Sequence, residues 1–197
     1  MINSKGYEEN LWTPGCIRTR SGIYMDVLNP TADMLDVNDI AHALAYQQRF
    51  GGHTANGFSV AQHCLNCSLL TERNKLSALM HDASEAYLVD LPTPIKKLMP
   101  QYKEIEHNLM LLIAKEFGFE YPLVDEVKAI DKAMLEYEWS AYMLENLPNK
   151  LDVGVLHPIQ AKKKFLEELY DIYVTYNNYT MLAKWFPDGD PRNQNNN

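Results

Sequence analysis

Apolar residues recur with the period of an α-helix along most of this chain, and no other feature restricts its fold as much. The pattern begins near Asp36 and continues almost to the end of the 197 residues. The predicted helices run from Asp36 to about Arg49, Ser59 to Leu70, Asn74 past Tyr87, Tyr102 to Phe117, Pro122 to about Asn146 and Pro158 to about Asn177. A shorter helical piece is expected between Pro92 and Pro100. The sequence therefore predicts a single-domain, all-α protein.

The first 35 residues follow a different pattern. The segment CIRTRSGIYMDVLNP alternates apolar and polar residues on both sides of Ser21 and Gly22, which is typical of a small β-hairpin. We therefore expect an irregular or β segment over residues 1–35, packed on a helical domain over residues 36–186. Residues 187–197 are polar and are expected to form a frayed tail.

Composition excludes several classes of protein. The formal net charge is -8, whereas a sequence-independent nucleic-acid binder needs a basic face, so we expect no nucleic-acid partner. No apolar run approaches the roughly 20 residues of a membrane span, and the first residues do not resemble a signal peptide. A cytoplasmic protein without a membrane partner is expected. Cys64 and Cys67 are interpreted as small buried residues, since three cysteines cannot form an all-cysteine metal site.

Two histidines and two carboxylates occupy positions that favour a shared partner. On the third predicted helix, His81, Asp82 and Glu85 are neighbours on the side opposite the apolar stripe. His63 and Asp131 lie among apolar residues of two other helices, where an unpaired polar group is costly, and one metal ion would give both a partner. A solvated polar face and ordinary core residues are the alternative, which spacing alone leaves open. Imidazole and carboxylate ligands favour Mn, Co, Zn, Fe or Ni over Mg.

The order of these residues, with the segments around them, resembles the HD-domain phosphohydrolases. The segments are RFGGHT from Arg49, SVAQH ending at His63, LMHDASEAYLVDLPTPIKK from Leu79 to Lys97, and KAIDKAM around Asp131. Within that superfamily the chain resembles the bacterial 5'-deoxynucleotidases and a phage and bacterial group that shares the RFGGHT segment. The similarity covers roughly residues 49–131 and implies a helical bundle of HD type.

The resemblance implies a role for each matching residue. The implied metal ligands are His63, His81, Asp82 and Asp131. Glu85 corresponds to the carboxylate that positions or deprotonates the attacking water, and Asp90 to an acid at the leaving group or the sugar hydroxyl. The implied substrate contacts are Arg49 and Lys96 at the phosphate, Phe50 at the sugar, where the deoxynucleotidases have tryptophan, and His53, which fits only the RFGGHT group.

The resemblance also implies an activity, namely metal-dependent hydrolysis of a nucleotide. Removal of phosphate from a (deoxy)nucleoside 5'-monophosphate is the first expectation. The same residues would serve a triphosphohydrolase that acts on a dNTP, such as a phage-type dATPase. A remoter alternative is an HD scaffold that binds nucleotide without catalysis. A homo-oligomer, a dimer or higher, in a bacterial or phage-infected cell is implied as well.

Overall fold

A small hairpin precedes the helices. The computed structural model describes residues 13–144 and 154–194, and within them the hairpin is the only sheet. Strand β1 (Cys16–Arg18) pairs antiparallel with β2 (Tyr24–Asp26), so that Ile17 lies opposite Met25. Gly22 in the connecting turn has a φ of 93°, a conformation that glycine adopts without steric cost. The predicted all-α fold with a small N-terminal hairpin is confirmed.

Helices account for most of the remaining described chain. They are α1 (Val37–Tyr46), α2 (Val60–Ser68), α3 (Lys75–Met80), α4 (Glu85–Leu88), α5 (Thr93–Lys96), α6 (Pro100–Phe117), α7 (Asp125–Glu138), α8 (Pro158–Thr175) and α9 (Tyr179–Trp185). The carboxylate of Asp36 and the hydroxyl of Ser59 accept hydrogen bonds from backbone amides of α1 and α2, as their sequence positions suggest. Gly118 ends α6 with a φ of 81°.

The third predicted helix is broken in two, although its apolar stripe continues through Tyr87. Helix α3 ends at Met80 and α4 begins at Glu85. Between them the backbone bonds span three residues instead of four, since the amide of Ala83 donates to Met80 O (3.0 Å) and that of Glu85 to Asp82 O (2.9 Å). The sequence prediction of a continuous helix was wrong here, because periodicity does not register such tightening.

The C-terminal half of the chain differs from the sequence predictions in several places. Helix α7 starts at Asp125 rather than at Pro122, and it continues as a π-helical turn over Trp139–Met143. Its predicted end at Asn146 lies outside the described residues. Helix α9 was not predicted. Part of the expected frayed tail is ordered, because the Arg192 guanidinium contacts the carboxylates of Asp171 and Asp190 at 2.8 Å each.

Two groups of buried apolar side chains fix the arrangement of these helices. The larger group joins α1, α2, α6 and α8 and includes the fully buried Leu44 and Phe165; it also takes in Met25 from the hairpin. A smaller group contains Cys67, Ala78, Val127 and Met134, and so holds α2, α3 and α7 against one another. Helices α2 and α7 and the turn after α3 carry the predicted metal ligands. In the described part of the chain, no helix is both long and apolar enough to span a membrane.

Leu44 offers a test of the core. Leu44→Ala should lower the free energy of unfolding by about 2–5 kcal/mol, because it removes buried side-chain atoms and leaves a cavity. Leu98 has 78% of its surface exposed, so Leu98→Ala should change stability by less than about 0.5 kcal/mol. Urea denaturation followed by circular dichroism measures both. Equal losses in the two variants would contradict the assignment of Leu44 to the core.

Candidate functional site

The four predicted metal ligands come together where α2, α7 and the turn between α3 and α4 meet. The Nε2 atoms of His63 and His81 are 3.2 Å apart. Asp131 Oδ1 lies 3.1 Å from His63 Nε2 and 3.6 Å from His81 Nε2, while Asp82 Oδ2 lies 3.8 Å and 3.2 Å from the same two atoms. Ligand atoms about 2.1 Å from one ion are separated by about 3–4 Å. These separations therefore match a single shared ion.

Hydrogen bonds at Nδ1 orient both imidazole rings. His81 Nδ1 donates to the backbone oxygen of Ala78 at 2.7 Å, because a carbonyl can only accept. His63 Nδ1 donates to Glu138 Oε1, also at 2.7 Å. In the neutral rings both Nε2 atoms then carry a lone pair directed at the other ring and at the carboxylates. Such an arrangement is repulsive unless positive charge lies among these atoms. Metal-binding histidines typically donate their other ring N–H to a carboxylate or a backbone carbonyl in this way.

The pKa shifts of these four groups also indicate that positive charge is stabilised among them. Burial by itself lowers the pKa values of His63 and His81, but the neighbouring carboxylates raise both well above the ordinary value. Burial by itself raises the pKa values of Asp82 and Asp131, but the two imidazoles hold both well below the ordinary value. The donor set, two imidazoles and two carboxylates, fits a divalent ion of the Mn, Fe, Co, Ni or Zn type.

Two cysteines lie beside the histidines. Cys67 Sγ is 3.7 Å from His63 Nε2, and the group His63, Cys67 and His81 has ligand atoms within 4.8 Å of one another. Cys64, His81 and Asp82 form a second such group. Both thiols are buried, as the sequence interpretation holds. The closeness of Cys67 to His63 follows from their spacing of four residues on α2. The closeness of both thiols to His81 was not foreseen, because it depends on how α2 packs against the turn after α3. This buried cluster can hold a metal ion.

Asp131 differs in one respect from its sequence interpretation. Its position among apolar residues suggested a buried carboxylate, yet 43% of its side chain is exposed. The exposed part lines a cavity of about 680 Å³ that also takes in Asp82. The cluster is therefore reached from the cavity, whereas His63 on its far side is fully buried.

The other predicted site residues line the same cavity: Arg49, Phe50, His53, Glu85, Asp90 and Lys96. Lys96 Nζ donates to Glu106 Oε1 at 2.7 Å and to Glu85 Oε1 at 3.3 Å. Among the described residues, the other oxygen of Glu85, Oε2, is buried without a hydrogen-bond partner. Gln47, which sequence reasoning did not single out, donates to the backbone oxygen of Glu85 at 2.8 Å and accepts from the amide of Asp90 at 3.0 Å.

Arg49 and Phe50 reach the cavity from a strained turn. The segment Arg49–Gly52 forms a 3-10 turn in which Phe50 and Gly51 have φ values of 56° and 62°. A left-handed conformation is uncommon for an aromatic residue, and such residues cluster at functional sites. The turn buries Arg49 almost completely, with its Nη2 3.2 Å from Glu138 Oε2 and its Nη1 3.8 Å from Asp82 Oδ2.

Comparison with known proteins gives three informative similarities. The chain is 36% identical to the uncharacterized protein YfdR of Escherichia coli, over 79% of this chain and 94% of the relative. It is 30% identical to a 5'-deoxynucleotidase of Yersinia pestis, over 72% of this chain and 71% of the relative. The chain belongs to the same family as this 5'-deoxynucleotidase. A 5'-deoxynucleotidase of Erwinia tasmaniensis is 36% identical, but the chain spans only 48% of its length. No family model matches the chain.

Glu138, like Gln47, is a residue of the site that sequence reasoning missed. Its side chain is fully buried, and it binds His63 Nδ1 with one oxygen and the Arg49 guanidinium with the other, at 3.2 Å to Nη2 and 3.3 Å to Nε. In the sequence it lies two residues after the exposed Glu136 on the same helix. A signal was present, because the residues three and four positions away along the helix are all apolar: Met134, Leu135, Ala141 and Tyr142. That signal does not identify the partners, which lie 75 and 89 residues away along the chain.

Replacement of Glu138 tests whether it orients His63. Glu138→Gln keeps the shape of the side chain but removes the charge that both partners bind, so the affinity for added Mn²⁺ should fall by about 10–100-fold. Isothermal titration calorimetry measures that affinity. The matched control is Glu136→Gln, which removes an exposed carboxylate of the same helix and cavity. Equal Mn²⁺ affinity in the two variants would show that Glu138 does not support the cluster.

Proposed function

We propose that the protein is a metal-dependent phosphohydrolase of the HD superfamily that removes phosphate from a (deoxy)nucleoside 5'-monophosphate. One observation carries the proposal: two imidazoles and two carboxylates converge at the wall of a cavity, with a buried guanidinium beside them. The names of the relatives from Yersinia and Erwinia support a phosphate ester of a deoxynucleoside as the substrate.

His63, His81, Asp82 and Asp131 would hold the divalent ion. When bound, such an ion polarises a phosphoryl oxygen and lowers the pKa of a bound water. The protein contributes a rigid set of ligands, since the Nδ1 atoms of both histidines are fixed by Glu138 and by the Ala78 carbonyl. Loss of any of the four ligands should abolish hydrolysis.

Glu85 is proposed to take the proton of the attacking water. Burial, with the nearby carboxylates of Asp82 and Asp90, raises its pKa well above the ordinary value, which makes it a stronger base than a typical glutamate. Lys96 holds one of its oxygens, while the other has no hydrogen-bond partner among the described residues. That second oxygen is the one we propose to accept the proton.

The remaining predicted residues would bind the substrate. Arg49 can clamp phosphate oxygens in a bidentate manner, and Lys96 can add a point charge. Asp90, whose pKa is raised by burial, would act at the leaving group or the sugar hydroxyl. Phe50 would cover the sugar, and His53 would contact phosphate or serve as an acid.

The charge of the cavity favours a monophosphate over a triphosphate. Among the described lining residues, Arg49 and Lys96 carry the permanent positive charge, and both already contact carboxylates. The acidic residues that line it are Asp82, Glu85, Asp90, Glu136 and Asp131. A second and third phosphate would add negative charge beside them without new cationic partners. The dNTP triphosphohydrolase is therefore the weaker alternative.

Product analysis tests the proposal. Purified protein is incubated with each dNMP, NMP and dNTP in the presence of Mn²⁺, Co²⁺ or Mg²⁺, or with no metal, and the products are separated by chromatography. We expect nucleoside and orthophosphate from dNMPs. Release of triphosphate from dNTPs with dNMPs untouched would establish the triphosphohydrolase instead. Absence of turnover under every condition would leave a binding scaffold.

Glu85→Gln separates catalysis from metal binding. The substitution keeps the size of the side chain but removes the base, so kcat should fall by about 10²–10⁴-fold. The metal content, measured by plasma emission spectroscopy, should equal that of the wild type, because Glu85 is not among the proposed ligands. Glu136→Gln is again the control and should retain kcat. An unchanged kcat in Glu85→Gln would remove Glu85 from the mechanism.

A further inference from the structure

Two aromatic rings form a corner in the cavity wall beside the proposed phosphate contact. The ring centroids of Phe50 and Trp139 are 5.8 Å apart, and the ring planes meet at 63°. The guanidinium carbon of Arg49 lies 5.6 Å from the centroid of the Phe50 ring. In space, the Arg49 guanidinium lies beside the Phe50 ring, and the Phe50 ring lies beside the Trp139 ring. A cation is therefore followed by two adjoining apolar surfaces.

Trp139 stands out because it is exposed within a concave site. The residue lines the cavity, yet 46% of its surface is accessible. By contrast, Trp185 is buried and stacks on Phe117 with a centroid distance of 4.2 Å. When a ligand covers an aromatic ring that was exposed to water, apolar surface is buried and the free energy falls. The exposed indole is therefore a surface on which a planar ligand group can bind.

The helix around Trp139 extends this apolar surface. Leu135 and Met143 lie one turn before and one turn after it, and both line the cavity. The preceding residue, Glu138, is not among the cavity-lining residues and is fully buried against His63 and Arg49. The contacts of Glu138 thereby fix which side of the helix faces the cavity, and they keep the indole there.

We propose that Trp139 is the stacking surface for the base of the substrate nucleotide, with Phe50 beside the sugar. The inference rests on the proposed function and adds a subsite to it. The base of a nucleoside stands steeply to the mean plane of its sugar, so two rings at 63° can each cover one of these groups. Stacking on an aromatic ring tolerates every base, because each has a π-face. The subsite should therefore distinguish a nucleotide from a base-free sugar phosphate rather than one base from another.

Hydrolysis of two matched substrates tests the subsite. dAMP carries a base and deoxyribose 5-phosphate lacks one, while the phosphate and sugar are common to both. Trp139→Leu should raise KM for dAMP about tenfold and leave KM for deoxyribose 5-phosphate unchanged. Trp139→Phe should keep most of the affinity for dAMP, because a ring remains. The control Tyr179→Leu removes a ring with 69% exposure that is not among the cavity-lining residues, and it should change neither KM.

Fluorescence gives a second readout that does not depend on turnover. In the Glu85→Gln variant, dAMP should quench indole emission and deoxyribose 5-phosphate should not. The quenching should disappear when Trp139→Phe is added. If no substrate is hydrolysed but this quenching occurs, the proposed function fails and the base subsite stands. If both KM values change equally in Trp139→Leu, or if dAMP quenches emission as strongly without Trp139, the base subsite is overturned.

Discussion

A single buried carboxylate holds together the parts of the protein that form the site. Glu138 is fully enclosed at the end of α7, and it binds an imidazole of α2 with one oxygen and the guanidinium of the 3-10 turn with the other. A charge of this kind tolerates burial only when every partner is present. The cost of leaving it unpaired therefore ties α7, α2 and the Arg49 turn to one relative position. The candidate metal ligands and the candidate phosphate contact share the same support.

Elsewhere in the site, as at Glu138, single polar side chains each bind two partners. Lys96 lies between the carboxylates of Glu85 and Glu106, and Gln47 links the backbone of Glu85 to that of Asp90. Lys96 thus donates to two carboxylates, whereas Gln47 donates to one backbone group and accepts from another. Side chains fixed in this manner need little rearrangement when a charged ligand arrives, which is the condition for electrostatic stabilisation of a transition state.

Local signals in the sequence predicted the local structure. The capping residues Asp36 and Ser59, the glycine after α6 and the alternation around Gly22 all lie at boundaries that the structure confirms. The convergence of the candidate ligands could be expected only from a resemblance, because spacing along separate helices does not report their packing. Glu138 lies among apolar residues of its helix, as Asp131 does, but the sequence does not show which distant side chains would reach it. The exposure of Asp131 was missed for a related reason: apolar sequence neighbours do not show where a cavity opens.

The three-residue hydrogen bonding between α3 and α4 limits which substitutions this segment can accept without moving the site. His81 and Asp82 lie in the stretch where bonds span three residues rather than four, and regular α-helical pairing there would rotate the two side chains relative to each other. Substitutions that favour an uninterrupted helix from Lys75 to Leu88 would add stability while displacing both groups from the cluster. Improvement of the fold and retention of the site therefore oppose each other at these residues, and a gain in thermal tolerance obtained here would come at the expense of the proposed metal site.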